Sequence, residues 1–489
     1  MPRFVRPLLF AWGLALYAQD AGMVLRTSVT YNTQKATLPL NEEQRQKADQ
    51  LGREAQQAAQ ARNYGDAMRD YYQGLAVMRN LPWTPAFELA SSFQGRLDHA
   101  MVEPGKQITV TLAPLYTSDR AAGVKMSAAV FLMPVKKDGA AEKSLASGKA
   151  VDPAALPFTT RITVPEAPAG DYTLEVRLAP EGETPTAAAR AGFVKSIPVH
   201  IEGLSEDAAR LRKRLAKFGK KSGSAFTTAE YALALYDQAD SGEVNPTHYN
   251  FHDEFAGANT ILDALEAGRD PFAARKGDVR KAYRSAVDNT LQPYRLFLPE
   301  RYDPAKPVPL VVALHGMGGD ENSMFDAYGG AMKREAERVG FAVVCPKGRD
   351  TASMYRGAAE QDVMDVLAEV RRDYRIDGQR IYLMGHSMGG YGTWSVAMAH
   401  PDVFAALAPI SGGGDTAGMV KIKNIPEYVV HGDDDRTVNV SQSRRMVEAG
   451  KQAGVNITYV EVPGGSHVGV AAPAFGPILD FFAKQLKGK

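Results

Sequence analysis

The sequence predicts an α/β domain at the C-terminal end, built on a mostly parallel sheet and preceded by a helical segment and a small β-sandwich-like module. Two observations predict this arrangement. From about residue 277 to 489, continuous apolar runs such as VPLVVALHG and FAVVCPKG alternate with amphipathic stretches of helical period. This is the pattern of parallel strands that are covered on both faces. From about 94 to 203, short strand-like segments lie between turn residues instead, as in a small β-sandwich.

The length of the chain requires more than one domain. At 489 residues it exceeds one ordinary domain, and a composition of 45% hydrophobic and 23% charged residues is that of a globular protein. The changes of pattern predict five segments: a signal peptide at 1–20, a helical N-terminal segment at 21–93, the β-sandwich-like (immunoglobulin-like) module at 94–203, a helical connector at 204–276 and the α/β domain at 277–489.

The charge balance argues against two classes of partner. The 57 basic and 56 acidic residues leave a formal net charge of +1, which does not favour binding to nucleic acid or to an anionic membrane surface. The one cysteine, Cys345, ends the apolar run FAVVC and is expected to be a buried strand residue. An exported form would therefore not depend on an intramolecular disulfide.

The N-terminus has the layout of a secretory signal. Arg3 and Arg6 precede an apolar stretch from Leu8 to Ala18, which is too short to span a bilayer. This predicts export to the periplasm or to the exterior of a bacterial cell, and a buried N-terminal helix is the alternative. No later stretch reaches the ~18 uninterrupted apolar residues of a membrane span, so no integral membrane span is expected.

The N-terminal half is predicted to change from helices to strands. Residues 41 to about 80 indicate two helices with a break near Asn63-Tyr64-Gly65, interpreted as a cap or spacer because one such hairpin falls short of a repeat array. Strands of the module are predicted at ITVTL (108–112), AAVFLMPV (128–135), RITVP (161–165) and DYTLEVRL (171–178).

The connector contains two histidines that could bind a metal. His248 and His252 are four residues apart and could lie on one face of a helix. No third ligand at a recognised spacing accompanies them. A solvated or packed pair is therefore the preferred interpretation, and no metal site is predicted.

The α/β domain contains a strand, a sharp turn and a helix in succession. Helices are predicted around 323–338, at 359–373 and over 388–399. The strand RIYLMG leads into Gly385-His386-Ser387-Met388-Gly389 at the start of the last of these helices. In a nucleophile elbow the serine backbone is strained and its glycine neighbours avoid collisions with strand and helix. Ser387 is therefore the predicted nucleophile.

A serine nucleophile needs a base and an acid behind it. In the fold that carries this elbow, the acid and then the histidine follow the serine along the chain. Beyond the strand EYVVHG the available histidine is His467, in the Gly-rich stretch VPGGSHVG, and it is the predicted base. The acid belongs in the turn after EYVVHG, where Asp433, Asp434 and Asp435 stand. Spacing alone does not separate these three.

The oxyanion that forms during acyl transfer needs two hydrogen-bond donors. One is the N–H of Met388, the residue after the nucleophile. The other is expected from the loop after an early strand, VVALHGMGGD, with the Met317 N–H as first choice. A phosphate-binding glycine loop is the alternative for this stretch, but the G-x-x-x-x-G-K-[ST] spacing is missing.

Residues from about 280 to 489 resemble the α/β-hydrolase superfamily. The likeness is to secreted carboxylesterases of the feruloyl-esterase and polyhydroxybutyrate-depolymerase type, and to prolyl-oligopeptidase-like predicted peptidases. The matching pieces are QPYRLFLPERYDPAKPVPLVVALHGMGG, YRGAAEQDVMDVL, RIYLMGHSMGGYGTW, AHPDVFAALAPISGGGD, HGDDDRTV and GGSH. The family pattern H-G-x-x-D-x-x-V matches His431, Gly432, Asp435 and Val438.

The resemblance implies the roles of three residues. It selects Asp435 as the acid and carries the nucleophile to Ser387 and the base to His467. Asn439 departs from the family, since relatives often have proline there; this concerns the shape of the turn and not the chemistry. The resemblance gives no function to the first 200 or so residues.

The leading hypothesis is an exported serine hydrolase that cleaves carboxylic esters through an acyl-enzyme, with no metal or organic cofactor. The expected substrate is a small-molecule or polysaccharide-linked ester, and a partner protein is unknown. A serine peptidase of the prolyl-oligopeptidase-like type is the alternative, because esters and amides are attacked by the same nucleophile. A surface binding protein with a decayed hydrolase domain is a third hypothesis, which the competent residues at every predicted position argue against.

Overall fold

The structure is a computed structural model that describes residues 21–135, 142–185, 192–218, 223–273, 275–350 and 352–488. The chain folds into two compact units. The first comprises the residues as far as Gly203 together with Ala239–His248, and the second comprises Leu204–Gln238 and Tyr249–Lys489. The predicted signal peptide, 1–20, lies outside the described residues.

The described part of the first unit starts with four helices, α1 (Ala21–Thr37), α2 (Glu42–Gln60), α3 (Tyr64–Met78) and α4 (Pro85–Ser92). Helix α2 begins with a capping box, in which the side chains of Asn41 and Gln44 each accept a hydrogen bond from the backbone N–H of the other residue. Tyr31 of α1 is completely buried, and a Cβ on Gly74 of α3 would lie 2.2 Å from its hydroxyl oxygen. Glycine at this position therefore allows the helices to pack closely.

Eight strands follow in the described residues: β1 (Phe93–Leu97), β2 (Met101–Val102), β3 (Gln107–Pro114), β4 (Met126–Pro134), β5 (Lys143–Val151), β6 (Phe158–Thr163), β7 (Gly170–Pro180) and β8 (Val194–Ile201). They form a three-stranded sheet in the order β1-β3-β6 and a five-stranded sheet in the order β2-β8-β7-β4-β5. Most pairings are antiparallel, and both sheets contribute to one apolar core. The predicted β-module is confirmed. Strands β1, β2, β5 and β8 were not predicted; β8 contains Pro198, which weakens a strand pattern.

The segment predicted as a connector forms α5 (Ser205–Lys217), α6 (Ser224–Asp240) and α7 (Phe251–Glu266). In the second unit, α6 is tied to the sheet. The Thr227 hydroxyl donates to the Ala282 carbonyl oxygen, and the Thr228 hydroxyl accepts from the Ala282 N–H.

Where it is described, the rest of the second unit contains eight strands: β9 (Gly277–Arg284), β10 (Leu291–Leu298), β11 (Val308–Leu314), β12 (Ala342–Pro346), β13 (Ile376–His386), β14 (Ala406–Ile410), β15 (Glu427–Gly432) and β16 (Ile457–Val462). Its helices are α8 (Ser323–Asp326), α9 (Ala331–Val339), α10 (Ala358–Asp373), α11 (Met388–Ala399), α12 (Ser441–Gln452) and α13 (Ala471–Phe482). The strands form one sheet in the order β16-β15-β14-β13-β11-β12-β10-β9.

This sheet is mostly parallel, as predicted. Strands β11 to β16 pair in parallel, whereas β9 and β10 add an antiparallel edge. The prediction of a single helix around 323–338 is wrong. The structure has two helices there, α8 and α9, because Gly329 and Gly330 between them have φ values of 58° and 73°. A helix does not continue through the left-handed region.

The strand order determines where a site can form. In open α/β sheets, ligands bind at the carboxyl ends of the strands, where the loops meet. Here β11 ends before the HGMGG loop, and β13 ends directly before Ser387. Strand β15 ends before the three aspartates, and β16 ends before the loop that contains His467. Within the described ranges, no helix combines the length and apolar character needed to cross a membrane.

Candidate active site

Ser387 lies in a strained turn between β13 and α11. Its φ and ψ are 57° and −116°, a conformation that costs free energy for any residue with a side chain. A Cβ on Gly385 would lie 2.4 Å from the Gly389 carbonyl oxygen, and a Cβ on Gly389 would lie 2.1 Å from the Leu314 carbonyl oxygen. The turn can therefore close only with glycine on both sides of the serine, as the sequence predicts for a nucleophile elbow.

The loops that carry the acid and the histidine are in backbone contact. A Cβ on Gly432 would lie 2.0 Å from the Gly465 carbonyl oxygen. The Asp434 N–H donates to the same oxygen at 3.2 Å, and the Gly464 N–H donates to Asp433 Oδ1 at 2.6 Å. The close approach of the two loops brings Asp435 and His467 together.

Asp435 is the aspartate that contacts His467. Its Oδ2 lies 2.6 Å from His467 Nδ1, and its Oδ1 accepts hydrogen bonds from the N–H groups of Thr437 at 2.9 Å and Val438 at 2.8 Å. Burial alone would raise the pKa of Asp435, but the hydrogen bonds from His431 and His467 outweigh it and hold the pKa well below its usual range. The carboxylate is therefore ionised and aimed at the imidazole.

The other two aspartates have different partners. Asp433 binds the Gly464 amide, and Asp434 pairs with Arg436 at the surface. Of the three candidates that spacing left open, the structure brings only Asp435 to His467, in agreement with the family pattern.

His467 and Ser387 are linked through their neighbours. The His467 carbonyl oxygen accepts from His386 Nε2 at 2.8 Å and from the Ser411 hydroxyl at 3.5 Å, while the Ser387 N–H donates to the Ile410 carbonyl oxygen. In the described part of the chain no hydrogen bond joins the Ser387 hydroxyl to the His467 ring. Catalytic contacts of this kind often tighten only when substrate is bound.

The predicted oxyanion donors flank the elbow. Met388 is the first residue of α11, and a Cβ on Gly316, next to Met317, would lie 3.4 Å from Ser387 Cβ. Among the hydrogen bonds of the described residues, none is donated by the N–H of Met317 or of Met388. Neither amide therefore has an acceptor among the described residues.

A second histidine supports the elbow and was not assigned a role from the sequence. The His386 ring lies between Tyr328, whose hydroxyl is 2.8 Å from Nδ1, and the His467 carbonyl oxygen. Burial and then the nearby His467 lower the pKa of His386 to about 4. The ring is therefore neutral at pH 7, with the hydrogen on Nε2. The sequence places this histidine in the elbow, but its partners come from other elements and cannot be identified from the spacing.

The two connector histidines lie on different elements. His248 ends a short turn at Pro246–His248, whereas His252 lies on α7. In the part of the chain that the structure describes, no three His, Cys, Asp or Glu residues converge so that they could hold a metal ion.

Comparison with known proteins places the chain beside hydrolases. The family model of the prolyl oligopeptidase family matches residues 351–428. A bifunctional acetylxylan esterase/xylanase of Neocallimastix patriciarum is 31% identical over 137 residues, or 27% of this chain and 20% of that protein. A probable feruloyl esterase C of Aspergillus terreus is 30% identical, over 24% of this chain and 46% of that protein. Feruloyl esterase B of Neurospora crassa is 34% identical, over 21% of this chain and 38% of that protein. The match spans less than half the length of each relative.

Solved structures give more distant matches. A thermostable esterase is 18% identical, with a TM-score of 0.41, over 80% of this chain and 99% of that one. A fluorophosphonate-binding serine hydrolase of Staphylococcus aureus is 18% identical, with a TM-score of 0.38, over 42% of this chain and 98% of that one. The strand order and the sequence relatives together confirm the predicted α/β-hydrolase fold of the second unit.

Proposed function

We propose that the protein is a serine hydrolase that cleaves carboxylic esters, with Ser387 as nucleophile, His467 as base and Asp435 as acid. The observation that carries the proposal is the 2.6 Å contact between His467 Nδ1 and Asp435 Oδ2, beside a serine in the strained elbow conformation. With Nδ1 donating to the carboxylate, Nε2 has the free lone pair that a general base requires.

The proposed reaction has two halves. Ser387 Oγ bonds to the acyl carbon as His467 Nε2 takes its proton, and the Met317 and Met388 amides stabilise the oxyanion. His467 then gives the proton to the leaving alcohol as the ester bond breaks, which leaves an acyl-enzyme. Water attacks this intermediate, again with His467 as base, and the carboxylic acid leaves as the serine is regenerated.

The names of the relatives support an ester as the substrate. The three relatives described above are an acetylxylan esterase and two feruloyl esterases, so we propose a small-molecule or polysaccharide-linked ester. A peptidase is the second candidate, because the matched segment of the prolyl oligopeptidase family, 351–428, includes Ser387.

The two candidates differ in the bond that is cleaved. We expect hydrolysis of p-nitrophenyl acetate or butyrate and none of aminoacyl p-nitroanilides; the reverse preference would favour the peptidase. Ser387→Ala should abolish hydrolysis and labelling by a fluorophosphonate probe. Ser395→Ala, on the same helix with its hydroxyl bonded to the Gly392 carbonyl oxygen, is the matched control. Activity that survives in Ser387→Ala would overturn the mechanism.

We also propose export to the periplasm or the exterior of the cell. The support is the charged and then apolar layout of residues 1–20. Expression in a bacterium followed by N-terminal sequencing should find a processed chain outside the cytoplasm. An unprocessed chain retained in the cytoplasm would contradict export without affecting the proposed chemistry.

A further inference from the structure

The His431 side chain lies behind Asp435, where the reaction proposed above does not use it. The ring has no exposed surface. Its Nε2 lies 2.9 Å from the Val438 carbonyl oxygen and 3.1 Å from Asp435 Oδ2. Both of these oxygens are acceptors, so Nε2 must carry a hydrogen.

The second ring nitrogen does not alter this conclusion. Nδ1 of His431 lies 2.7 Å from the Ser443 hydroxyl, which also lies 3.1 Å from the Gly412 carbonyl oxygen. If the hydroxyl donates to Nδ1, the ring is neutral with its hydrogen on Nε2. If the hydroxyl donates to Gly412, Nδ1 must donate and the ring is doubly protonated. In both cases Nε2 carries one hydrogen, which the Val438 carbonyl oxygen and Asp435 Oδ2 share.

We propose that His431 is a positioning residue, which donates a second imidazole hydrogen bond to Asp435 Oδ2 and so holds the carboxylate toward His467. The inference rests on the proposed function, since it assigns Asp435 and His467 their roles. Asp435 then accepts four hydrogen bonds, two from amides on Oδ1 and two from imidazoles on Oδ2.

The second donor also affects the base. A carboxylate stabilised by several donors accepts each further hydrogen bond less strongly, so Asp435 without the His431 donor would bind the Nδ1 hydrogen of His467 more strongly. The other groups that face this cluster are His386 beside His467, Tyr391 on α11 and Glu461, the register partner of His431 on β16. Glu461 is paired with Arg444. Without His431, the acid limb of the pH profile for ester hydrolysis should therefore lie at a higher pH.

The test is the pH profile of kcat/KM for ester hydrolysis in wild type, His431→Leu, His431→Gln and His431→Asn. Leucine removes the donor, glutamine can place its amide nitrogen where Nε2 lies, and asparagine cannot reach that position. For His431→Leu and His431→Asn we expect the acid limb to move up by about 0.5–1 pH unit and kcat to fall ~10-fold with little change in KM. His431→Gln should restore both.

A matched control separates this effect from general loss of a histidine. His400, at the end of α11, pairs with Glu360, and His400→Leu should leave the acid limb in place. A folded His431→Leu protein with an unchanged profile, or equal profiles for the glutamine and asparagine variants, would overturn the inference. Because Ser387→Ala tests the nucleophile separately, failure of this inference and failure of the proposed function give different results.

Discussion

The indole Nε1 of Trp394 donates a 2.9 Å hydrogen bond to Oε2 of Glu427 in the interior of the second unit. Neither residue has exposed surface, and Glu427 Oε1 has no hydrogen-bond partner among the described residues. Burial raises the pKa of Glu427 from 4.5 to about 7, and the Trp394 donor offsets part of this rise. Below neutral pH, the carboxyl group is therefore protonated in the folded chain.

This relationship predicts a loss of stability as the pH rises. The folded chain holds the Glu427 proton up to a higher pH than the unfolded chain does. Binding of this proton therefore contributes fully to the free energy of unfolding below pH 4.5, the unfolded pKa, and this contribution is lost as the pH rises to about 7. A shift from 4.5 to about 7 corresponds to about 3 kcal/mol of unfolding free energy. Glu427→Gln, which does not titrate, should therefore have a flatter pH dependence.

Denaturant unfolding of wild type and Glu427→Gln at about pH 5 and pH 8 measures this difference. The variant should be the more stable of the two at pH 8. Glu448→Gln, at an exposed position on α12, is the control and should follow wild type. The same pH dependence in Glu427→Gln and wild type would contradict the prediction.

The identity of the acid can be tested within the three aspartates. Asp435→Asn keeps the size of the side chain but removes the charge that orients His467, and we expect kcat to fall by roughly 10³–10⁴-fold. Asp434→Asn alters an aspartate that pairs with Arg436 at the surface and should leave kcat near wild type. Steady-state kinetics on the same ester distinguishes the two variants. A large loss of kcat in Asp434→Asn but not in Asp435→Asn would show that the acid is Asp434 and not Asp435.

Most of the α/β fold could be predicted because its strands are continuous apolar runs and its helices are amphipathic. The helix predicted at 359–373 corresponds to α10, which starts one residue earlier, and the helix over 388–399 corresponds to α11. Strand β9 was harder to predict, since its charged sequence GDVRKAYR resembles the connector. The break at Gly329–Gly330 depends on backbone angles that glycine allows but does not require.

The candidate site residues could be named from the sequence because the elbow and the order of acid and base constrain the chain. The residues that hold them in position could not be found in this way. His386, His431 and Tyr328 bond to atoms on other strands and loops, and no spacing rule connects them. The choice of Asp435 among three neighbours also needed the family pattern, because the direction of each carboxylate is decided by a turn that packs against the His467 loop.

The close packing of the turn at Ser387 predicts that glycine-to-alanine substitutions on β13 lower stability and kcat only where the added methyl group meets the turn. In Gly385→Ala, the Cβ would lie 2.4 Å from the backbone oxygen of Gly389, so that the turn must shift. We expect a loss of roughly 1–3 kcal/mol in stability together with a large fall in kcat. Gly378→Ala, on the same strand, meets nothing closer than 4.0 Å and should change neither. Thermal unfolding and ester kinetics of both variants provide the comparison, and equal effects would contradict the prediction.

Loss of the Tyr328 hydroxyl should have a smaller effect on stability and kcat, because it acts through His386. Because His386 Nε2 donates to the His467 carbonyl oxygen, Nδ1 of the neutral ring accepts from Tyr328 at 2.8 Å. Tyr328→Phe leaves this nitrogen without its donor and frees the ring to change tautomer. We expect a loss of about 1 kcal/mol in stability and a fall in kcat of roughly 3–10-fold, because the His467 loop is then held less firmly.

Tyr382→Phe is the matched control for this prediction. It also removes a hydrogen-bonded tyrosine hydroxyl in the second unit, but Tyr382 lies on β13 and its hydroxyl donates to the Gln485 carbonyl oxygen near the end of the chain. The two variants should therefore lose similar stability, while only Tyr328→Phe loses activity. Equal kcat values for the two, measured under conditions where both are folded, would show that the Tyr328–His386 bond supports the fold and not the position of His467.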